Sequence, residues 1–468
     1  MPDITLSLIS HTNVGKTTLM RTLLKRDVGE VSDHAHVTRE NQRYALCETE
    51  SGNHLYLWDT PGFGDTAQLL QRLREHEKPI KWLLLQTWDR LTNKPLYCNQ
   101  QAVKNVQEDA DVVLYLVNAA ETPTEAGYVE MEMEVLAWID RPVLVLLNQV
   151  GQRTNREQDR DDCDRWRQHL SKFANVHDVL SLDAFTRCWV QEGQVLSRVR
   201  EMLPEEKRTT YGELLNVWLT DHRRVFATSI DAVAAHLATA AAAHETVEKP
   251  SRRLIARAVN RLTQQVERSQ REMGDQLLSL HQLDGQAGEK VRTELENYLR
   301  PKKKRSEWLS GAIAGAGSGL VGGIAADFLA GGLTFGGGAA AGFLLGFFAG
   351  SGLQGLFNLI DRDNRKGVAC TPDFLDQLTA QAIIYYTAVA HYGRGRGAWQ
   401  ELATVDAWSE VAQAVVEDRR AELHGVWAAS AAGSEEAREK LTEVAAALLR
   451  DTLTRHYPEA EAMLEQQA

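Results

Sequence analysis

Ser10-His11-Thr12-Asn13-Val14-Gly15-Lys16-Thr17-Thr18 is the stretch that decides the fold. It follows an apolar run, Ile4 to Ile9, with the character of a buried strand, and precedes Leu19-Met20-Arg21-Thr22-Leu23-Leu24, which reads as a helix. Strand, tight loop ending in Gly-Lys-Thr, then helix is the setting of a phosphate-binding P-loop. The amides from Asn13 through Val14, Gly15, Lys16, Thr17 and Thr18 point donors at phosphate oxygens. Lys16 adds a positive charge at the β- and γ-phosphates, and the Thr17 hydroxyl is placed to bind Mg²⁺. Ser10 replaces the first glycine of the usual pattern. That changes the opening turn of the loop without removing its amides.

Downstream, Trp58-Asp59-Thr60-Pro61-Gly62 closes another apolar strand. An Asp at a strand end holds Mg²⁺ through water, and the glycine after it offers its amide to a γ-phosphate. Further apolar, β-branched runs lie at Tyr44 to Cys47, Leu55 to Trp58, Val112 to Val117, Val143 to Leu147 and Val179 to Leu182. Helix-like segments separate most of them. The expected fold class is α/β: a P-loop domain with a mainly parallel sheet, with ligand binding at the carboxyl ends of the strands.

Between the two phosphate motifs, Thr38-Arg39-Glu40 follows a loop that carries His34 and His36. With Asn13 before Val-Gly-Lys, this resembles the TrmE/Era-type bacterial GTPases. The resemblance implies GTP/GDP binding and hydrolysis, with Thr38 closing on Mg²⁺ and the γ-phosphate. It assigns Lys16, Thr38 and Gly62 to catalysis, and Thr17, Thr38 and Asp59 to Mg²⁺, with Asp59 acting through water. Asn13 matches the position that ligates K⁺ in the potassium-activated members. Phe63 stands where Ras-like enzymes place a water-orienting Gln. A phenyl ring cannot orient water, so slow turnover is expected, rising with K⁺, a partner's arginine or a homodimer.

The base-reading motif departs from the family. Where Asn-Lys-x-Asp is usual, the chain has Asn148-Gln149-Val150-Gly151. Asn148 fits, but the carboxylate that takes two hydrogen bonds from guanine is missing, which leaves ATP open. Glu157 or Asp159 could substitute, and Ala184, in Ser181-Leu182-Asp183-Ala184-Phe185, could supply a base-contacting amide. Together with Asp-Ala-Phe-Thr-Arg-Cys-Trp, this looks like a branch that joins an Era-like GTPase to a C-terminal helical domain with a glycine-rich hydrophobic hairpin. The segment from Asp65 to Asp111 exceeds the minimal fold and reads as a packed insertion or an effector contact.

The 468 residues allow two or three domains, and the expected segments are a P-loop GTPase domain over 1–200, a helical arm over 201–305, the hairpin over 306–360, and helices over 361–468. Beyond Pro204 the β signal disappears, so the second part is expected to be all-α. Ile255, Val259, Leu262, Val266, Ser269 and Met273 form one stripe for a bundle or a coiled coil, which Ser269 and Gly274 interrupt. From Leu309 to Ile360 there are 16 glycines and a single charge, Asp327. Glycines at 311, 315, 319 and 323, and again at 338, 342, 346 and 350, repeat every fourth residue as a glycine zipper. Leu309 to Ala330 and Ala339 to Ile360, joined by a turn at Gly331 to Gly338, would each extend about 33 Å as helix, enough for a bilayer core of about 30 Å.

Lys302 to Arg305 before this stretch, and Arg362, Arg365 and Lys366 after it, set both flanks on the cytoplasmic side. The expected location is the cytoplasmic face of the bacterial inner membrane, with lipid and a membrane protein as partners. The alternative is a cytoplasmic protein that buries the hairpin in its own bundle or an oligomer. Met1 leads almost directly into the first strand, so no signal peptide is expected. The five cysteines are scattered, as free thiols are in a reducing compartment. A net charge of −12 disfavours nucleic acid as a partner and weighs against the competing reading, a soluble Era-like factor in RNA or ribosome assembly. A scaffold with purely structural nucleotide is disfavoured by the intact Lys16, Thr17 and Asp59.

Overall fold

The computed structural model describes residues 3–11, 14–25, 42–86, 94–148, 156–182, 188–247, 251–283, 289, 291–293, 357–362, 365–392, 403–430 and 434–465. The chain divides into two compact units. One comprises Met1–Arg223, His391–Thr404 and Ala462–Ala468; the other comprises Arg224–Ala390 and Val405–Glu461.

The first unit alternates strand and helix. In order it runs β1 (Ile4–Ser10), α1 (Lys16–Leu24), β2 (Gln42–Glu48), β3 (His54–Asp59), α2 (Thr66–Arg74), α3 (Pro79–Leu85), α4 (Lys94–Glu108), β4 (Val112–Asn118), α5 (Gly127–Ile139), β5 (Val143–Asn148), α6 (Arg156–Leu170), β6 (Val176–Ser181) and α7 (Trp189–Met202). The six strands lie in the order β2-β3-β1-β4-β5-β6. All pairs are parallel except β2 with β3. β1 sits between β3 and β4, and every one of its residues is buried. A strand covered on both faces reads as a continuous apolar run, which is why Ile4 to Ile9 was so legible.

Strand alternation sorts the side chains by face. Val113, Tyr115 and Val117 on β4 and Val143, Val145 and Leu147 on β5 enter one apolar cluster with α2, α3, α4, α5 and α6. Leu69, Leu70, Leu73, Ile80, Leu83 and Leu96 belong to the same cluster. The segment from Asp65 to Asp111 is therefore a packed insertion that thickens one face of the sheet.

The second unit is largely helical. It takes in the C-terminal part of α8 (Glu205–Ala242), then α9 (Arg252–Leu280), α10 (Pro372–Ala390), α11 (Ala403–Asp418), α12 (Arg420–Ser430) and α13 (Glu435–His456). A short α14 (Ala460–Leu464) follows. Ser251 and Ser434 cap α9 and α13, each side chain accepting from a backbone amide in the first turn. Two features differ from the sequence reading. A small antiparallel sheet is present, ordered β7-β9-β8, from β7 (His244–Thr246), β8 (Phe357–Arg362) and β9 (Arg365–Cys370). Phe357 to Ile360 is thus strand, not the end of a second glycine-rich helix. The pairing of β7 with β9 is a contact distant in sequence, invisible to local periodicity.

The α9 stripe is buried inside its own unit, as a bundle requires. Its two interruptions serve that packing. Ser269 Oγ lies 2.9 Å from His236 Nδ1 in a buried hydrogen bond. A Cβ on Gly274 would meet Tyr385 Oη at 2.8 Å, so the missing side chain is what lets the Tyr385 ring lie against α9. Among the described residues, α8 alone is long and apolar enough to cross a membrane, and 56% of its most apolar window is buried within the structure. The glycine-rich stretch up to residue 356, with Asp327 and Lys302 to Arg305, lies outside the described residues. So does Gly393 to Gly397.

Candidate functional site

The turn after β1 brings together the residues of the Gly-Lys-Thr motif and its neighbours. Gly15 caps α1 in the left-handed region, φ 97°, where a side chain would be strained. Its carbonyl accepts from Leu19 N at 2.9 Å, opening the helix. Lys16 is buried, and its ammonium donates to Ser10 Oγ at 2.9 Å. Burial pulls the Lys16 pKa down; the charges of Asp59, Glu132 and Cys98 act the other way. Ser10 therefore does more than replace a glycine, because its hydroxyl orients the lysine. Its carbonyl also accepts from Phe63 N at 2.9 Å.

The parallel register sets Leu8 of β1 opposite Asp59, the last residue of β3. Thr17 Oγ1 donates to Asp59 Oδ2 at 2.8 Å, and Asp59 is 1% exposed. Two hard oxygen donors at this separation fit Mg²⁺, which prefers carboxylate, hydroxyl and water. Thr60 Oγ1 fixes the strand end by donating to Leu8 O at 2.6 Å. Thr18 is buried in the first turn of α1. Gly62 is buried next to Phe63, whose ring has no exposed surface and belongs to the apolar cluster.

At the other end of the site, β4 and β5 finish in register, Asn118 beside Asn148. Asn148 Nδ2 donates to Val14 O at 2.7 Å, and Asn148 O accepts from Ala119 N at 2.7 Å. The asparagine that opens the base-reading motif thus ties β5 to the P-loop. Asn13, Thr38 with Arg39 and Glu40, His34, His36, Gln149 to Gly151 and Ala184 lie outside the described residues. Lys16, Thr17, Asp59 and Asn148 are brought to one edge of the sheet.

Two neighbours of the site, Asn99 and Glu132, escaped sequence reasoning. Gly64 N donates to Asn99 Oδ1 at 2.7 Å. His11 Nδ1 lies 2.7 Å from Glu132 Oε1, on α5. The available signal was a lone carboxylate in the stripe Val129, Glu132, Met133, Leu136, at helical spacing.

A second acidic cluster has a different character. Asp373, Asp376 and His424 lie close enough to share a cation. However, Arg420 contacts Asp373 at 2.6 Å and Asp376 at 3.3 Å, and Trp427 Nε1 donates to Asp376 at 2.9 Å. A guanidinium already supplies the positive charge. No disulfide links the five cysteines, and burial pushes the Cys47, Cys163 and Cys370 thiols up to about 12. Thiols of that kind are inert at neutral pH.

Residues 167–461 match the family model described as a domain of unknown function, DUF3482. The chain belongs to the DUF3482 family. Residues 5–149 of this DUF3482 protein match the model described as 50S ribosome-binding GTPase. Its N-terminal part is a guanine-nucleotide-binding P-loop GTPase domain, followed by a helical region. A search of curated proteins finds no match.

Solved structures that the chain matches include Era in complex with MgGDPNP and a fragment of 16S ribosomal RNA, at 18% identity and TM-score 0.32. That match covers 44% of this chain and 58% of the Era chain. A variant of Aquifex aeolicus Era bound to GDP and aluminium fluoride matches at 18% identity and TM-score 0.31, over 44% of this chain and 58% of that one. NFeoB from S. thermophilus, bound to mGMPPNP, matches at 14% identity and TM-score 0.25, over 60% of this chain and 88% of that one. The chain thus spans 58% of the length of the Era chains it matches.

Proposed function

We propose that this protein hydrolyses GTP to GDP as a Mg²⁺-dependent conformational switch that works at a membrane. The observation that carries the switch reading is the convergence of Lys16, Thr17 and Asp59 at the carboxyl ends of β1 and β3. Thr17 and Asp59 would hold Mg²⁺, which neutralises charge on the β- and γ-phosphates. Lys16 releases Ser10 Oγ and turns to the phosphate oxygens. The amides that follow Gly15 supply further donors at the α1 N-terminus.

Phe63 lies in the apolar cluster, so hydrolysis is slow in the isolated chain. K⁺ at Asn13, a second copy of the chain or a membrane partner protein supplies the missing activation. Thr38 and Gly62 would close on the γ-phosphate and relax when it leaves. Membrane association rests on composition: two glycine-zippered apolar segments between cationic flanks. The location that follows is the cytoplasmic face of a bacterial inner membrane.

The name of the matched GTPase model favours a second reading, action on the large ribosomal subunit. The net charge of −12 opposes it. One purification tests both. The full chain is extracted from membranes, and the nucleotide and any RNA released on denaturation are identified. The chain is expected to stay with membranes after alkaline carbonate treatment of a parallel sample, and the protein extracted at neutral pH is expected to release guanine nucleotide. Adenine nucleotide would remove the GTPase reading, and a soluble chain with copurifying RNA would favour the ribosomal one.

A further inference from the structure

The buried face of α5 carries one carboxylate. Val129, Met133 and Leu136 pack into the apolar cluster, and Glu132 stands among them with no exposed surface. A charge in such a place is tolerated only when donors surround it. Three donors from three elements reach it. His11 Nδ1, just past β1, lies 2.7 Å from Oε1. Thr66 Oγ1, at the first residue of α2, donates to the same oxygen at 3.1 Å. The Tyr115 hydroxyl, on β4, donates to Oε2 at 2.6 Å. Burial first, and then the Glu132 charge, holds the Tyr115 hydroxyl protonated. The His11 ring is fixed in turn against Tyr128, with centroids 4.3 Å apart.

These contacts join the two parts of the site that a triphosphate would touch. His11 belongs to the P-loop and pairs along the backbone with Phe63. Thr66 follows Gly62 and Phe63 closely and begins α2. Between them, Gly64 N is taken by Asn99 on α4 at 2.7 Å. Asn99 is fully buried, and its Nδ2 has no partner among the described residues. Two buried side chains, Asn99 and Glu132, thus grip the segment that runs from Gly62 into α2.

We propose that Glu132 is a positioning residue that clamps the start of α2 to the P-loop, coupling the γ-phosphate to the docking of α2. The proposal rests on the guanine-nucleotide switch described above. Gly62 and Thr66 are separated by only four residue steps, about 14 Å at most, and the intervening Gly64 is held at both its amide and its carbonyl, so movement at Gly62 is passed to the start of α2. The Thr66 hydroxyl is the donor from α2 to the clamp; it has one proton and two acceptors in reach, Glu132 Oε1 at 3.1 Å and Gly64 O at 3.3 Å, so it can exchange the carboxylate for the backbone.

The test compares the full chain with Thr66→Val and Thr66→Ser. Thr66→Val keeps the shape and removes the donor; Thr66→Ser restores the donor. Affinities for fluorescent GDP and for a non-hydrolysable GTP analogue are measured in the same buffer. The expected result is a change of about tenfold in the ratio of the two affinities for Thr66→Val, within the usual range of coupling. Thr66→Ser is expected to return the ratio to that of the parent. A merely structural threonine would lower thermal stability and leave the ratio unchanged, which overturns the clamp. Amide exchange across Thr66–Arg74 in the parent gives an independent reading. Protection that differs between GDP and the analogue supports the clamp, and equal protection overturns it. A parent chain that binds neither nucleotide overturns the switch reading, and the clamp with it.

Discussion

Both units bury polar groups, but they satisfy them differently. Around the phosphate site, Lys16 meets Ser10, Thr17 meets Asp59 and Glu132 collects three donors, all within ordinary hydrogen-bond distance. In the helical unit, buried Glu267 has Arg271 at 3.8 Å, and its Oε1 has no hydrogen-bond partner among the described residues. Burial raises its pKa to about 7, while Arg271 pulls the other way. His236, bonded to Ser269, is pulled down to about 4 by burial. In the first unit, then, these buried side chains are met by hydrogen-bond partners from neighbouring elements. In the second, the protein shifts the titration so that its buried groups are neutral at moderately acid pH.

The largest expected effect tests the first half of that contrast. Lys16→Ala removes the ammonium proposed to meet the β- and γ-phosphates, and GTP affinity is expected to fall by at least ~100-fold, about 3 kcal/mol. Titration calorimetry measures it, and chelation of Mg²⁺ should weaken the parent in the same direction. Nucleotide held as tightly by Lys16→Ala as by the parent would remove the contrast, since the buried lysine would then be structural.

Next in size is Phe63→Gln. In an enzyme with an exposed residue here, the amide would speed hydrolysis. Phe63 is instead fully buried in the apolar cluster. The substitution is expected to destabilise the first unit by about 3 kcal/mol, from lost packing and a buried amide. Thermal unfolding and single-turnover hydrolysis distinguish the two accounts. A faster rate without loss of stability would show that the residue reaches the nucleotide.

The smallest effects test the helical unit through pH. Glu267 has a folded pKa of about 7 against an ordinary carboxyl value of 4.5, so between these the folded state binds more protons. Stability from this group is therefore lost as pH rises from about 4.5 to 7. His236 has a folded value of about 4 against 6.5, so there the unfolded state binds more protons. Its contribution is lost as pH falls from about 6.5 to 4. The two slopes oppose each other and flatten the profile of the parent. Glu267→Gln should leave a profile that rises with pH across this window, and His236→Gln one that falls. Chemical denaturation at a series of pH values measures both, and parallel profiles in parent and variants would refute the assignment.

Much of the first unit was legible because its signals are local. β1 is apolar throughout, the turn that follows requires glycine at Gly15, and Asp59 ends a strand of clear β character. The packed insertion was visible only as an ambiguity, since Leu69, Leu73 and Leu83 show helical spacing without showing which surface they cover. The small sheet was missed because β7 and β9 are far apart along the chain. Ser269 and Gly274 read as flaws in a stripe until His236 and Tyr385 were placed beside them.

Taken alone, the order of residues determined the P-loop, the oxygens of Thr17 and Asp59 as candidates for a cation, the alternation of strand and helix and the glycine-rich stretch, because each depends on neighbours a few positions away. Only the tertiary structure decided that Ser10 orients Lys16, that Phe63 turns into the core, that Asn148 ties β5 to Val14 and that Glu132 gathers His11, Thr66 and Tyr115. Those contacts join residues from different elements. A hydrogen bond exists only where packing has already brought donor and acceptor within reach.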